Sequence, residues 1–119
     1  MLREVLKSKI HRATVTDLSI DYVGSIAVDE LLMQKANIIE GERVDVLNIH
    51  NGQRFSTYVI KAPRGSGEIC INGAAARLAR VGDRIIIIAY GIAQDEELKT
   101  FMPNIVHVDE NNCPDEKNV

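Results

Sequence analysis

Apolar residues in this chain fall in short runs and alternations, and only rarely at helical spacing. Residues 5–16 mix basic and β-branched side chains, with Ile10, Thr14, Val15 and Thr16 setting a strand pattern. Alternation there puts Lys7, Lys9 and His11 on one face and Ser8, Ile10 and Arg12 on the other, so Lys9 and His11 project together. Residues 18–28 read as a second extended segment, interrupted at Gly24. Asp29 is a good helix cap, Leu31, Leu32 and Lys35 follow at helical spacing, and Ala36-Asn37 fits a stop. Glu40-Gly41-Glu42 is a turn, and residues 43–49 alternate as a strand. Asn51-Gly52 is the strongest local signal. Both residues tolerate positive φ, as a type I′ hairpin demands, so strand 44–49 should turn directly into strand 54–60. On that second strand Phe55, Thr57 and Val59 face one way, and Arg54, Ser56, Tyr58 and Ile60 the other.

Pro63 ends the strand, and Arg64-Gly65-Ser66-Gly67 forms a loop. No helix opening with Lys-Ser or Lys-Thr follows it, so it reads as a turn rather than a phosphate cradle. Residues 68–71 form a short strand, and Asn72-Gly73 turns into a short helix over 74–79. Residues 81–83 turn again. Residues 84–90 hold four consecutive Ile, the mark of a strand buried on both faces. A helical turn over 93–100 and a last strand over 104–109 complete the pattern, and the polar segment 110–119 is expected to be disordered. Many short strands, few short helices and no βαβ rhythm predict a single domain, a small β-barrel.

Composition narrows the classes. A chain of 119 residues buries a modest core, so oligomerisation is a natural source of further burial. The net charge of −3, the absence of Trp and only 4% aromatics argue against a nucleic-acid surface. No run approaches the ~18 apolar residues of a membrane span, and Met1 to Lys7 carries no apolar stretch of signal-peptide type. Cys70 and Cys113 lie far apart and fit free thiols in a reducing cytoplasm, Cys70 in an apolar segment and Cys113 in a polar one.

His11, His50 and His107 are dispersed, and no Cys or His pair has ligand spacing, so no metal is expected. Ser25, His11 and an Asp could form a hydrolytic triad, but the Gly-x-Ser-x-Gly elbow is missing. Gly24-Ser25 is open to two readings. It is common turn chemistry, with a glycine at positive φ. Alternatively, the Ser25 hydroxyl attacks the preceding carbonyl under backbone strain. Around it the chain offers Tyr58 as a proton donor, Arg54 as a carboxylate clamp, Lys9 and His11 together, and amide donors at Asn72-Gly73.

Four motifs decide between these readings: Lys9-Ile10-His11-Arg12, Tyr22-Val23-Gly24-Ser25, Asn51 through Tyr58, and Asn72-Gly73-Ala74-Ala75-Ala76. In this order and spacing, up to about Val108, the sequence resembles the bacterial pyruvoyl-dependent aspartate 1-decarboxylases. The resemblance implies a six-stranded double-psi β-barrel, assembled as a homotetramer in the cytoplasm. It implies a zymogen that cuts itself between Gly24 and Ser25 into a β chain, residues 1–24, and an α chain, residues 25–119. Ser25 would become a covalent pyruvoyl group, the only cofactor, with no metal. That group would form a Schiff base with L-aspartate and accept electrons as CO₂ leaves, giving β-alanine for pantothenate and coenzyme A synthesis.

The resemblance assigns Gly24, Ser25, Thr57 and Asn72 to processing and Tyr58 to proton donation. It assigns Arg54, Thr57, Gly73, Ala74, Ala75, Lys9 and His11 to substrate binding. Arg54 and Tyr58 share a strand face but stand roughly 13 Å apart at strand rise, more than the length of aspartate. The expectation is therefore a leaning Arg54 or a site completed by a neighbouring subunit. Some members carry Trp where this chain has Leu47. A non-catalytic barrel module, or a pyruvoyl enzyme for another amino acid, are the alternatives from the residues alone.

Overall fold

The computed structural model describes residues 1–115. Among them the alternations condense into eight strands: β1 (Leu2–Thr14), β2 (Asp17–Ser19), β3 (Ser25–Asp29), β4 (Arg43–Asn48), β5 (Arg54–Ala62), β6 (Ile69–Asn72), β7 (Arg84–Gln94) and β8 (Asn104–His107). Two short α-helices, α1 (Glu30–Ala36) and α2 (Asp95–Leu98), and a 3-10 helix (Gly73–Leu78) fill the connections. Among the described residues no helix is long and apolar enough to cross a membrane.

The strands form one sheet in the order β2-β6-β3-β5-β4-β7-β1-β8. Only Val15 and Thr16 separate β1 from β2, yet β2 stands at one end of that order and β1 next to the other. Two linking residues bridge only about 10 Å, so the sheet must curl until its ends meet. The link itself is held on both sides, Val15 N–H donating to Asp83 O at 2.9 Å as the β1–β7 ladder ends and Thr16 N–H to Ile69 O at 2.8 Å as the β2–β6 ladder begins. The six middle strands carry the barrel, and the short β2 and β8 lie at its edges. Inside it pack Ile10, Val15, Ile26, Val28, Val44, Val46, Val59, Ile69, Ile71, Ile85 and Ile87, all essentially buried.

Local chemistry explains the connections. Asp29 caps α1, its Oδ1 accepting from Leu31 N–H at 2.9 Å, and the same carboxylate accepts from Gly65 and Gly67 N–H at 2.8 Å. One buried side chain thus starts the helix and pins the 64–67 loop. Asn37, at φ 56°, ends the helix in the left-handed conformation.

Four expectations are corrected. Arg12 does not share the buried face of Ser8 and Ile10. The β1–β7 register shifts between His11 and Ala13, Arg12 takes φ 68° and is exposed, and Ala13 turns inward instead. The hairpin exists but is not type I′: Leu47 pairs with Arg54, and of the loop residues only Gly52 has positive φ, 74°. The longer loop is held by Gly52 N–H on Asn48 O at 2.9 Å and by Asn48 N–H on Gln53 O at 2.8 Å. The four Ile are not equally enclosed: Ile85, Ile87 and Ile88 are buried, whereas Ile86 is only half-buried on the outer face.

The last correction concerns the segment expected to be disordered. Within 110–115, Asn112 is buried, accepts from Thr14 N–H at 2.7 Å and donates to Thr14 O and Gly67 O at 2.8 and 2.7 Å. Residues 116–119 lie outside the described residues.

Candidate active site

β3 begins at Ser25 and lies between β6 and β5. Ser25 pairs directly with Asn72 on β6. On the other side Ile26 pairs with Val59 in parallel, so the register, continued one residue back, sets Ser25 beside Tyr58, and a second residue back, just before β3, it brings Gly24 toward Thr57. Ser25 is 1% exposed. Its Oγ accepts from Asn72 Nδ2 at 2.9 Å and donates to Val23 O at 3.4 Å. An amide N–H on a hydroxyl oxygen favours charge developing there, which is what a serine nucleophile needs.

Gly73, which follows Asn72 and opens the 3-10 helix, has φ +82°. A Cβ there would lie 2.7 Å from Gly24 Cα, 3.0 Å from Gly24 N and 3.2 Å from Tyr22 O. The chain at the junction is thus held by a backbone-to-backbone approach that only glycine at position 73 permits. Gly24 itself has no left-handed φ and open space around its Cβ position. The freedom expected of Gly24 is used at Gly73 instead.

Cys70, two residues before Asn72, shares its strand face. It lies not in the main core but in a small cluster with Ala27, Ala62 and Ile60. Its thiol donates to Asn72 Oδ1 at 3.2 Å. Burial pushes the thiol pKa up, and Asp17 and Glu68 act in the same direction. Sequence reading placed Cys70 in an apolar segment and missed this contact, although the two-residue spacing from Asn72 on a strand was the available signal.

The other candidate residues gather elsewhere. Pairings place Arg54, Leu47, Ile86, His11 and His107 in one row across the outer face of β5, β4, β7, β1 and β8. Ser56, Asp45, Ile88 and Lys9 form the neighbouring row. Arg54 is exposed and, with Leu47, Gly52, Gln53 and Ile86, lines an open cavity of about 220 Å³. With Leu47 on its lining, this cavity has no aromatic wall. The His11 and His107 rings meet edge to face at 5.4 Å. His11 is held below the ordinary imidazole pKa, first by burial, then by the positive neighbours His107, Arg12, Lys9 and Arg84.

In the sheet order β1 stands four strands from β3. Within one chain, Ser25, Asn72, Gly73, Thr57 and Tyr58 gather at the start of β3; Lys9 and His11 lie on β1, and Arg54, in the row of His11, lies on β5 beside β3 but four residues, about 13 Å, along the strand from Tyr58. Thr57 and Tyr58 lie on opposite faces of β5: Thr57 half-buried on the side of Val59, Tyr58 40% exposed on the outside. Ala74 is exposed and Ala75 half-buried in the 3-10 helix. That helix is tied to the Arg54 hairpin, since Asn48 and Asn51 Nδ2 both donate to Leu78 O, at 3.3 and 2.9 Å. Asn48 also donates to Asp83 at 2.8 Å and by that bond holds the Asp83 carboxyl below the usual range.

Known proteins resemble this chain over nearly its whole length. The family model for aspartate decarboxylase matches residues 1–114, past the Val108 limit read from the motifs. A curated aspartate 1-decarboxylase of Caldicellulosiruptor saccharolyticus is 65% identical over 94% of this chain and 88% of its own. That of Thermoanaerobacter pseudethanolicus is 60% identical over 96% and 97%, and that of Acetivibrio thermocellus 62% over 94% and 89%. Among solved structures, the computationally designed msDPBB_sym2 protein matches with a TM-score of 0.50 at 18% identity, covering 73% of this chain and 99% of its own. At that identity it speaks for the fold alone, a double-psi β-barrel.

Proposed function

The chain belongs to the aspartate decarboxylase family, and from that membership we infer that it converts L-aspartate to β-alanine and CO₂ for pantothenate synthesis, using a pyruvoyl group made from its own Ser25. The contact that carries this reading is Asn72 Nδ2 on the buried Ser25 Oγ, beside a Gly24 held against Gly73.

The residues at the junction suit the group. Ser25 Oγ adds to the Gly24 carbonyl carbon, the peptide C–N bond breaks, and the amide nitrogen takes a proton, leaving an ester. Loss of the Cα proton with departure of the Gly24 carboxylate from Cβ leaves a double bond; return of a proton to Cβ, addition of water and departure of ammonia then leave the keto group on the chain that starts at 25. Asn72 steadies the charge that builds on Oγ, and Thr57, beside Gly24 by register, assists the same step. The finished pyruvoyl group supplies a carbonyl that takes up the substrate amine and draws in the electrons released with CO₂.

The remaining roles belong to ordinary side chains. Tyr58, beside Ser25 by register, donates the proton that replaces the lost carboxylate. Arg54 binds the remaining carboxylate with its two-pronged guanidinium. The Gly73-Ala74-Ala75 backbone, free of bulk, contacts the substrate. Because Lys9 and His11 lie on β1 and Arg54 lies about 13 Å along β5 from Tyr58, a neighbouring chain supplies them, and the active form is a cytoplasmic homotetramer with sites between subunits. That separation supports the arrangement.

Intact-mass measurement of the purified chain tests the proposal. The expected result is two fragments, 1–24 and 25–119, with a keto group at the start of the second that borohydride and an amine trap. Ser25→Ala should stay uncut and release no CO₂ from aspartate. A parent chain that stays whole after prolonged warm incubation would overturn the reading.

A further inference from the structure

We propose that Cys70 is a positioning residue for self-cleavage: its thiol holds the Asn72 side chain in the one orientation that presents Nδ2 to Ser25. The inference deepens the processing role assigned above and rests on that reading.

An asparagine amide has a donor end and an acceptor end of nearly equal size, and rotation by half a turn exchanges them. At position 72 the exchange matters. With Nδ2 toward Ser25 Oγ the amide supports charge on the nucleophile; with Oδ1 there it would compete for the hydroxyl proton and repel that charge. Something must select between the two. On the far side of the amide stands Cys70 Sγ, 3.2 Å from Asn72 Oδ1. A thiol proton is satisfied by Oδ1 and not by Nδ2, so the contact favours one orientation. The resulting chain runs Cys70 to Asn72 at 3.2 Å, Asn72 to Ser25 at 2.9 Å and Ser25 to Val23 O at 3.4 Å.

All three side chains are buried, Cys70 at 8%, Asn72 at 6% and Ser25 at 1% exposure, so water is in short supply to take over the lost partner. Ala27, Ala62 and Ile60, packed around Cys70, bring no competing donor in their side chains. The charged groups that reach the thiol are Asp17, paired with it from β2, and Glu68, two residues earlier. Both are acidic and, with burial, keep it in the protonated form that can donate.

The test is the rate of cleavage of freshly refolded full-length chain, followed by denaturing gel or intact mass. Four proteins are compared, the parent, Cys70→Ala, Asn72→Ala and the double variant, with Cys70→Ser as a fifth. Loss of one buried hydrogen bond should slow Cys70→Ala roughly five- to tenfold. Cys70→Ser, which keeps an O–H donor, should recover to within about twofold of the parent. In the Asn72→Ala background, removing the thiol should add less than about twofold, because there is no amide left to orient. A merely structural cysteine would slow both backgrounds alike. That result, or a Cys70→Ala chain that cuts at the parent rate, would overturn the proposal while leaving cleavage at Gly24-Ser25 intact. A parent that never cuts would overturn both.

Discussion

Replacing Gly73 by alanine puts one methyl group at the tightest place in the site. The new Cβ would lie 2.7 Å from Gly24 Cα, and ordinary contact begins near 3.4 Å, so the two must part by about 0.7 Å. The backbone at 73 resists, because alanine at φ +82° is itself strained by about 1–2 kcal/mol. Crowding a packed site adds about 1–3 kcal/mol. Residues 20–24, exposed and outside any strand, give way more readily than β6. Much of the displacement therefore falls on Gly24, the residue whose carbonyl must meet Ser25 Oγ. A misplacement approaching 1 Å costs about a hundredfold in a positioned reaction, so cleavage of Gly73→Ala should slow about ten- to a hundredfold. Its thermal midpoint should fall by about 10 °C. Gly24→Ala is the control for folding, since nothing lies within 4 Å of its Cβ position and its midpoint should match the parent. Scanning calorimetry and a cleavage time course on the same preparations decide the matter. A Gly73→Ala chain that cuts at the parent rate would refute the idea that this close approach sets the junction.

Asn112→Ala removes three hydrogen bonds to Thr14 and Gly67 from a buried position and should destabilise the chain by about 3 kcal/mol, read by denaturant unfolding. An unchanged midpoint would mean that the segment after β8 does not hold the barrel. Arg54→Lys keeps the charge and loses the fork, so the KM for aspartate should rise at least about tenfold with kcat changed far less. Equal losses in both would place Arg54 in the chemical step. The folded chain keeps His11 less protonated than the unfolded chain does, so its contribution to stability is present above the ordinary value of 6.5 and is lost as pH falls below it through the lowered one. NMR titration should show His11 titrating low and moving upward in His107→Gln; an unmoved value would exclude the ring pair as a cause.

What the chain order alone determined was everything carried by neighbours within a few residues. Asp29 before Glu30 and Asn37 after Ala36 bounded α1 because caps act within one turn. Alternation on β5 separated Thr57 from Tyr58 correctly because strand side chains alternate without exception unless a bulge intervenes. The bulge at Arg12 and the longer hairpin loop at Asn48–Gln53 escaped detection because partner strands, not local preference, set them. The family motifs named candidate residues, and strand pairing decided which of them lie near Ser25.

Tertiary structure decided what meets across long separations. It brought Ser25 to Asn72 over 47 positions and Thr14 to Asn112 over 98. It also placed Gly73 on Gly24 and parted Lys9, His11 and Arg54 from Ser25. The reason is closure of the barrel: strand order and curvature follow from burying all the inward faces at once, a condition no short window of sequence can express.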